Sequence, residues 1–132
     1  VIFFGFTNCP DICPLTLSKL SITLQKIKDD KDLIIYFISL DPERDRPEIL
    51  KNYLQPFDGQ VIGLTGSLYN LKKLADYLNI KYYKRNINES YTIDHTSSSL
   101  LISEGKIFGK ILFDDDLNVT TKKINNFLSH VK

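Results

Sequence analysis

Two uninterrupted apolar runs constrain the fold of this chain more than any other feature. They span residues 1–6 (VIFFGF) and 33–40 (LIIYFISL), and their length and their β-branched and aromatic content are typical of buried strands. A strand that is apolar on both sides needs cover on both faces, as in a parallel sheet. Apolar residues recur at helical spacing after Pro14, so the sequence predicts a strand–helix–strand unit with a parallel crossover.

The rest of the chain continues this alternation and then changes to a hairpin. The expected elements, in chain order, are a helix opening at Pro47, a strand at 61–64, a helix N-capped by Ser67, an extended segment at 80–83, a polar solvated loop at 85–90, strands at 98–102 and 107–113 joined around Glu104-Gly105, and a helix starting at 114–116. This order predicts a single α/β domain with a mixed central sheet flanked by helices.

Length and charge exclude several classes of protein. The 132 residues are enough for one domain with a full core. Lysine plus arginine is 17 and aspartate plus glutamate is 16, giving a net charge of +1 that argues against a nucleic-acid-binding surface. No apolar run approaches the roughly 18 residues of a membrane helix. Since the sequence starts inside an apolar run and contains no Met, we expect an N-terminal part, with any membrane anchor, to lie outside it.

Cys9 and Cys13 are the only cysteines, and they lie between the first predicted strand and helix. A helix N-terminus favours thiolate over thiol because it offers unpaired N–H groups and a partial positive charge. Side chains four residues apart on a helix are neighbours, so two thiolates there could bind one soft metal ion or close a disulfide. From the residues alone, structural cysteines, a redox dithiol and a metal site all remain open.

His95, in the sequence Asp94-His95-Thr96, adds a third soft ligand if its loop approaches the cysteines. Two thiolates and an imidazole favour copper over structural zinc, which would need a fourth protein ligand. Asp94 could orient the imidazole. The alternative is a loop histidine with no metal to bind. His130 lies far along the last predicted helix, where its imidazolium suits the helix dipole, and we do not expect it to be a ligand.

Three further polar positions flank these candidates. Asn8 could cap the turn with its side chain. Asp11 could cap the first helix or place a charge beside the dithiol. Residues 41–45, which follow a buried strand, are expected to form a turn whose carboxylates cap the next helix, although functional sites also favour that end of a parallel sheet.

Four motifs in this sequence resemble those of the Sco/SenC proteins, in the family's order and across almost the whole chain. They are FGFTNCPDICP at 4–14, FISLDPERD at 37–45, IGLTG at 62–66 and DHT at 94–96. The resemblance implies a thioredoxin-like domain over residues 1–132. It also implies that Cys9, Cys13 and His95 bind one copper ion, as Cu(I) and also as Cu(II).

The resemblance further implies a function in the assembly of cytochrome c oxidase. The leading hypothesis is a copper metallochaperone, not an enzyme, that receives copper from an upstream donor and delivers it to the dinuclear copper site of subunit II. The alternative is a thiol–disulfide oxidoreductase that reduces the copper-ligand cysteines of that subunit through Cys9 and Cys13. A peroxidase is a weaker third reading, because only Thr7, two residues before Cys9, suggests it.

The family pattern carries expectations about location as well. The domain is expected to be monomeric and to be tethered to a membrane only through the absent N-terminal anchor. It would face the bacterial periplasm or the mitochondrial intermembrane space, which agrees with a disulfide-permissive compartment. One position departs from the family pattern: most members have a histidine immediately before the first cysteine, where this chain has Asn8.

Overall fold

A computed structural model describes residues 1–27, 33–57 and 61–131 of the chain. The elements are β1 (Ile2–Gly5), α1 (Ile12–Lys26), β2 (Ile35–Ser39), α2 (Pro47–Leu54), β3 (Val61–Leu64), α3 (Leu68–Tyr77), β4 (Tyr82–Ile87), β5 (Ser90–His95), β6 (Ser99–Ser103), β7 (Lys106–Ile111) and α4 (Leu117–Val131).

Five strands form a central mixed sheet in the order β3-β2-β1-β6-β7. Strand β1 pairs in parallel with β2, and β2 pairs in parallel with β3. Strand β6 pairs antiparallel with both β1 and β7. The predicted parallel unit and the terminal hairpin are therefore both confirmed, and they share one sheet because β6 adds to the free edge of β1.

The two apolar runs supply the centre of the core, as their composition predicts. Phe3, Phe4 and Phe37 are completely buried, and the rings of Phe3 and Phe37 pack with centroids 5.7 Å apart. Leu17 and Leu20 of α1 are also completely buried. Each such side chain contributes about 1.5–3 kcal/mol through removal of apolar surface from water, so the strands beneath the site are rigidly held.

The predicted solvated loop at 85–90 is wrong. Strands β4 and β5 form a separate two-stranded ribbon, with a turn at Asn88 where φ is 53°. Only Ile93 of this ribbon is buried. The side chains of residues 85–90 are all exposed, so this part of the ribbon lacks the alternation of apolar and polar residues that marks a half-buried strand, and its polarity resembles that of a loop.

Turn and cap chemistry is predicted better than the ribbon. Glu104 and Gly105 have positive φ, 50° and 77°, as the tight turn of a two-residue hairpin requires. The Ser67 side chain accepts a hydrogen bond from the backbone N–H of Asn70 and caps α3, as expected. Within the described ranges, no helix is long and apolar enough to cross a bilayer.

Candidate metal centre

The first functional segment is the loop between β1 and α1. Cys9 lies in this loop and Cys13 is the second residue of α1. The two cysteines therefore do not share one helical turn. The loop folds back instead, and the backbone N–H of Cys9 donates to the carbonyl of Phe6 over 3.2 Å. Both side chains are buried, Cys13 completely and Cys9 with 9% of its surface exposed.

His95 approaches the cysteines from the end of β5. One ligand atom from each of Cys9, Cys13 and His95 lies within 4.8 Å of the other two. The imidazole also packs edge-on against Phe6, with ring centroids 6.0 Å apart. Residues from two distant parts of the chain thus form one compact set of two sulfurs and one imidazole nitrogen.

The orientation of the imidazole is set by a backbone group. His95 Nδ1 lies 2.8 Å from the carbonyl oxygen of Thr96. Since a carbonyl only accepts, Nδ1 carries the hydrogen of this bond, and Nε2 is the nitrogen that would bind a metal ion. The prediction that Asp94 orients His95 is wrong. The Asp94 carboxylate accepts from Arg85 instead, with Nε 2.8 Å away.

The two cysteines differ in acidity. A hydrogen bond from the Cys13 thiol is the largest cause that lowers the pKa of Cys9, to about 4; His95 and the backbone N–H groups of Cys13 and Asp11 add to it, against the effect of burial. The pKa of Cys13 is raised far above its ordinary value by the same hydrogen bond and by burial. The hydrogen bond between the two sulfurs therefore separates their titrations, and the two thiols lose their protons as a coupled pair.

Asp45 anchors the cysteine loop, the segment at 6–11 between β1 and α1. Its carboxylate accepts from the backbone N–H and the hydroxyl of Thr7, at 3.0 and 2.6 Å, and from the hydroxyl of Ser39 at 2.7 Å. Asp45 is completely buried. The expectation that carboxylates of 41–45 cap α2 is wrong, since the N-cap is Arg46 and has no side-chain capping bond. The sequence signal for this anchor was the position of Asp45 just after a parallel strand.

The other flanking candidates contribute less than expected. Asp11 occupies the N-cap position of α1 but makes no side-chain capping bond; its contribution is the backbone N–H given to Cys9. Asn8 is exposed. His130 is exposed near the end of α4, with Nδ1 2.7 Å from the Asn126 carbonyl, and it is not part of the donor cluster.

Tyr53 of α2 is a neighbour of the site that sequence reasoning missed. Its hydroxyl oxygen is buried without a hydrogen-bond partner among the described residues. Burial, and secondarily the negative charges of Cys13, Cys9 and Asp45, raise the pKa of this phenol. Its ring packs on Phe37, with centroids 5.9 Å apart, so Tyr53 forms part of the apolar wall behind the sulfurs.

Comparison with known proteins identifies the family. The sequence pattern of the SCO1/SenC family matches residues 1–129. The chain belongs to the SCO1/SenC family. The family resemblance in the four motifs is thereby confirmed over nearly the full sequence.

Individual SCO1/SenC proteins agree with this result. A SCO2-like protein of Rickettsia typhi is 38% identical over 132 residues, which cover 97% of this chain and 64% of that protein. The crystal structure of Arabidopsis thaliana ScoI with copper bound superimposes with a TM-score of 0.91 at 34% identity, covering 98% of this chain and 83% of that one. The predicted thioredoxin-like fold is confirmed by this likeness.

A third solved structure, of a less similar protein, also belongs to the Sco family. BsSco, described as having a disulfide switch and as a member of the Sco family of cytochrome c oxidase assembly proteins, matches with a TM-score of 0.70 at 25% identity; the match covers 97% of this chain and 77% of that one. This SCO1/SenC chain spans less than two thirds of the length of the first curated relatives it matches.

Proposed function

We propose that this domain binds one copper ion through Cys9, Cys13 and His95 and delivers it to the dinuclear copper site of cytochrome c oxidase subunit II during assembly. The observation that carries the proposal is the donor set itself, two sulfurs and an imidazole nitrogen within 4.8 Å. Thiolates select Cu(I) and zinc, and imidazole suits both metals. Structural zinc is almost always four-coordinate, whereas the cluster found among the described residues has three members.

The proton held between the sulfurs determines how the site loads. The hydrogen bond between the sulfurs lowers the pKa of Cys9 to about 4 and raises the pKa of Cys13. Metal ligation requires the thiolate, so the incoming Cu(I) takes the place of the Cys13 proton. Loading should therefore release about one proton at neutral pH.

The difference in exposure of the two cysteines suggests a direction for delivery. Cys9 is 9% exposed and Cys13 is fully buried. A thiolate of the receiving subunit would reach the metal on the Cys9 side first, and the Cys13 sulfur would be the last to release it. Copper is the cargo of this exchange, and the upstream donor would load the site by the same steps in reverse.

An anaerobic Cu(I) titration of the reduced domain against a competing chelator tests the proposal. We expect one equivalent to bind tightly, and binding to weaken by at least about tenfold, or about 1.4 kcal/mol, in His95→Ala. His130→Ala is the matched control, because His130 is exposed and lies outside the cluster. Equal affinity in His95→Ala and the wild-type domain would remove His95 from the ligand set.

A second function uses the same cysteines as a reductant of the subunit's copper-ligand cysteines. The low pKa of Cys9 favours it, since a thiolate is the attacking species. The Cys9 thiolate would attack the partner's disulfide and form a mixed disulfide. Cys13, on losing its proton, would then displace the partner's second thiol, leaving a Cys9–Cys13 disulfide and a partner reduced by two electrons.

Substitution of His95 distinguishes thiol exchange from copper delivery. Exchange needs no imidazole ligand, so His95→Ala should keep its rate with a small disulfide while losing copper affinity. A domain that reduces the subunit's disulfide at the wild-type rate but never transfers copper would favour the reductant. Both reactions agree with an oxidising compartment, so we assign the domain to the periplasmic side of a bacterial inner membrane or to the mitochondrial intermembrane space.

A further inference from the structure

The turn after β2, at residues 41–45, is hydrogen-bonded to both segments of the chain that carry the donor side chains. On one side Asp45 anchors the cysteine loop through Thr7. On the other side Asp41 accepts a hydrogen bond of 2.7 Å from the hydroxyl of Tyr91, which lies on β5 four residues before His95. Asp41 is 1% exposed, so this bond is shielded from competing water at the carboxylate.

Arg44 reinforces the attachment of Tyr91. Its guanidinium carbon lies 3.7 Å from the centroid of the Tyr91 ring. The same group donates through Nε to the Asp41 carboxylate and through Nη1 to the Tyr91 carbonyl, the latter over 3.2 Å. Tyr91 is therefore held at its hydroxyl, its ring face and its backbone, all by residues of one turn.

The two anchoring carboxylates are fixed relative to each other. The backbone N–H of Asp45 donates to the carbonyl of Asp41 over 2.8 Å. The hydroxyl of Ser39 accepts from the backbone N–H of Asp41 at 3.0 Å and donates to the Asp45 carboxylate. All three residues are at most 1% exposed. The separation between the cysteine loop and the Tyr91 strand is thus determined by buried bonds within a single turn.

The ribbon that carries His95 needs such an attachment. Strands β4 and β5 pair with each other and, in the described part of the chain, are not hydrogen-bonded strands of the five-stranded sheet. In the part of the chain that the structure describes, the ribbon is also joined to residues 41–45 by the ion pair of Lys84 with Glu43, whose side chains are 48% and 54% exposed. Exposed pairs of this kind contribute little. At its base, the Thr96 N–H donates to the Lys81 carbonyl over 2.9 Å.

We infer that Tyr91 and Asp41 are positioning residues that hold the β4–β5 ribbon, which carries His95, against the loop that carries Cys9. We call their hydrogen bond the latch. This inference rests on the proposed function, since it takes His95 to be a ligand. If the ribbon occupies the binding geometry for only a fraction of the time, the apparent dissociation constant rises by the inverse of that fraction. Loosening the latch therefore weakens copper binding through His95 and not through the sulfurs.

A double-mutant cycle on Cu(I) affinity tests the latch. Tyr91→Phe keeps the ring on Arg44 and removes only the hydroxyl bond to Asp41. We expect it to weaken Cu(I) binding about three- to tenfold, and to have no effect when His95→Ala is already present. Tyr83→Phe is the matched control, because Tyr83 lies on the same ribbon and is 63% exposed; we expect it to bind as the wild-type domain does.

Amide hydrogen exchange in the metal-free domain gives a second readout. Amides of β4 and β5 should exchange faster in Tyr91→Phe than in Tyr83→Phe, while those of β1 and β2 stay unchanged. Wild-type affinity in Tyr91→Phe, or an equal loss in the His95→Ala background, would overturn the latch. If His95→Ala alone leaves affinity unchanged, the proposed ligand set fails instead, and the exchange rates then decide whether Tyr91 holds the ribbon.

Discussion

The sulfur of Cys13 lies 2.7 Å from the point that a Cβ atom on Gly5 would occupy. The same point is 2.9 Å from the ring of Phe37. Gly5 ends β1 and pairs with Ser39 of β2, so its backbone cannot retreat without disturbing the central sheet. A residue that provides no ligand atom therefore determines where one of the two sulfurs can lie.

Gly5→Ala should weaken the site without removing a donor. The added methyl must displace Cys13 or Phe37, and overpacking of this kind costs about 1–3 kcal/mol in unfolding free energy. Copper affinity should fall as well, because the Cys13 sulfur moves. Gly66→Ala is the control, since no atom lies within 4 Å of its Cβ position. Denaturant unfolding and chelator competition measure both effects, and equal values for the two variants would contradict this account.

The stability of the domain should depend more on the acceptor oxygens of Asp45 than on its negative charge. Asp45→Ala leaves the partly buried Thr7 N–H and the buried Ser39 hydroxyl without their acceptor, so we expect a cost of about 2–4 kcal/mol in unfolding free energy. Asp45→Asn should cost about 1 kcal/mol, because its amide oxygen can still accept from that N–H while the hydroxyls of Thr7 and Ser39 rotate. Asp76→Ala, at an exposed ion pair, should be nearly neutral. Urea unfolding of the three variants would refute the argument if Asn were as damaging as Ala.

The two thiols should titrate far apart in the reduced, metal-free domain. Thiolate absorbance should report one thiolate forming with a midpoint near pH 4, from Cys9, and a second forming only in strong alkali, from Cys13. In Cys13→Ala the thiol that donates to Cys9 is absent, so the pKa of Cys9 should rise. His95→Ala should raise it less, because His95 is a smaller cause than Cys13. Two midpoints near the ordinary thiol value would contradict the shared proton.

Lys19 offers a test that separates stability from metal binding. Its ammonium donates to the carbonyls of Leu112, Phe113 and Asp115 at 3.2, 2.9 and 2.8 Å and so joins α1 to the loop before α4. Lys19→Met keeps the aliphatic stem and removes these bonds, which should cost about 1–2 kcal/mol. Copper affinity should stay at the wild-type value because the donor cluster is not touched. A large loss of copper affinity would contradict this expectation and would mean that metal binding depends on the overall stability of the domain.

Several parts of the architecture were predictable because their signals are local. The apolar runs at 1–6 and 33–40 mark buried strands by composition alone. The turn at Glu104-Gly105 needs positive φ at both positions, and Ser67 is a preferred cap. The outer end of the β4–β5 ribbon, residues 85–90, was not predictable in this way, because all of its side chains are exposed and so carry no hydrophobic period.

The chemistry of the candidate site divides in the same manner. The residue types of Cys9, Cys13 and His95 by themselves determined which metals such a set would prefer, since thiolate and imidazole both suit copper and zinc. That the three side chains lie together was decided by the tertiary structure. Only the tertiary structure decided that Thr96, not Asp94, orients the imidazole, and that buried carboxylates after β2 hold both halves of the site. Those contacts join residues up to 50 positions apart, and the hydrogen-bond partners of a side chain depend on which distant backbone the fold brings beside it.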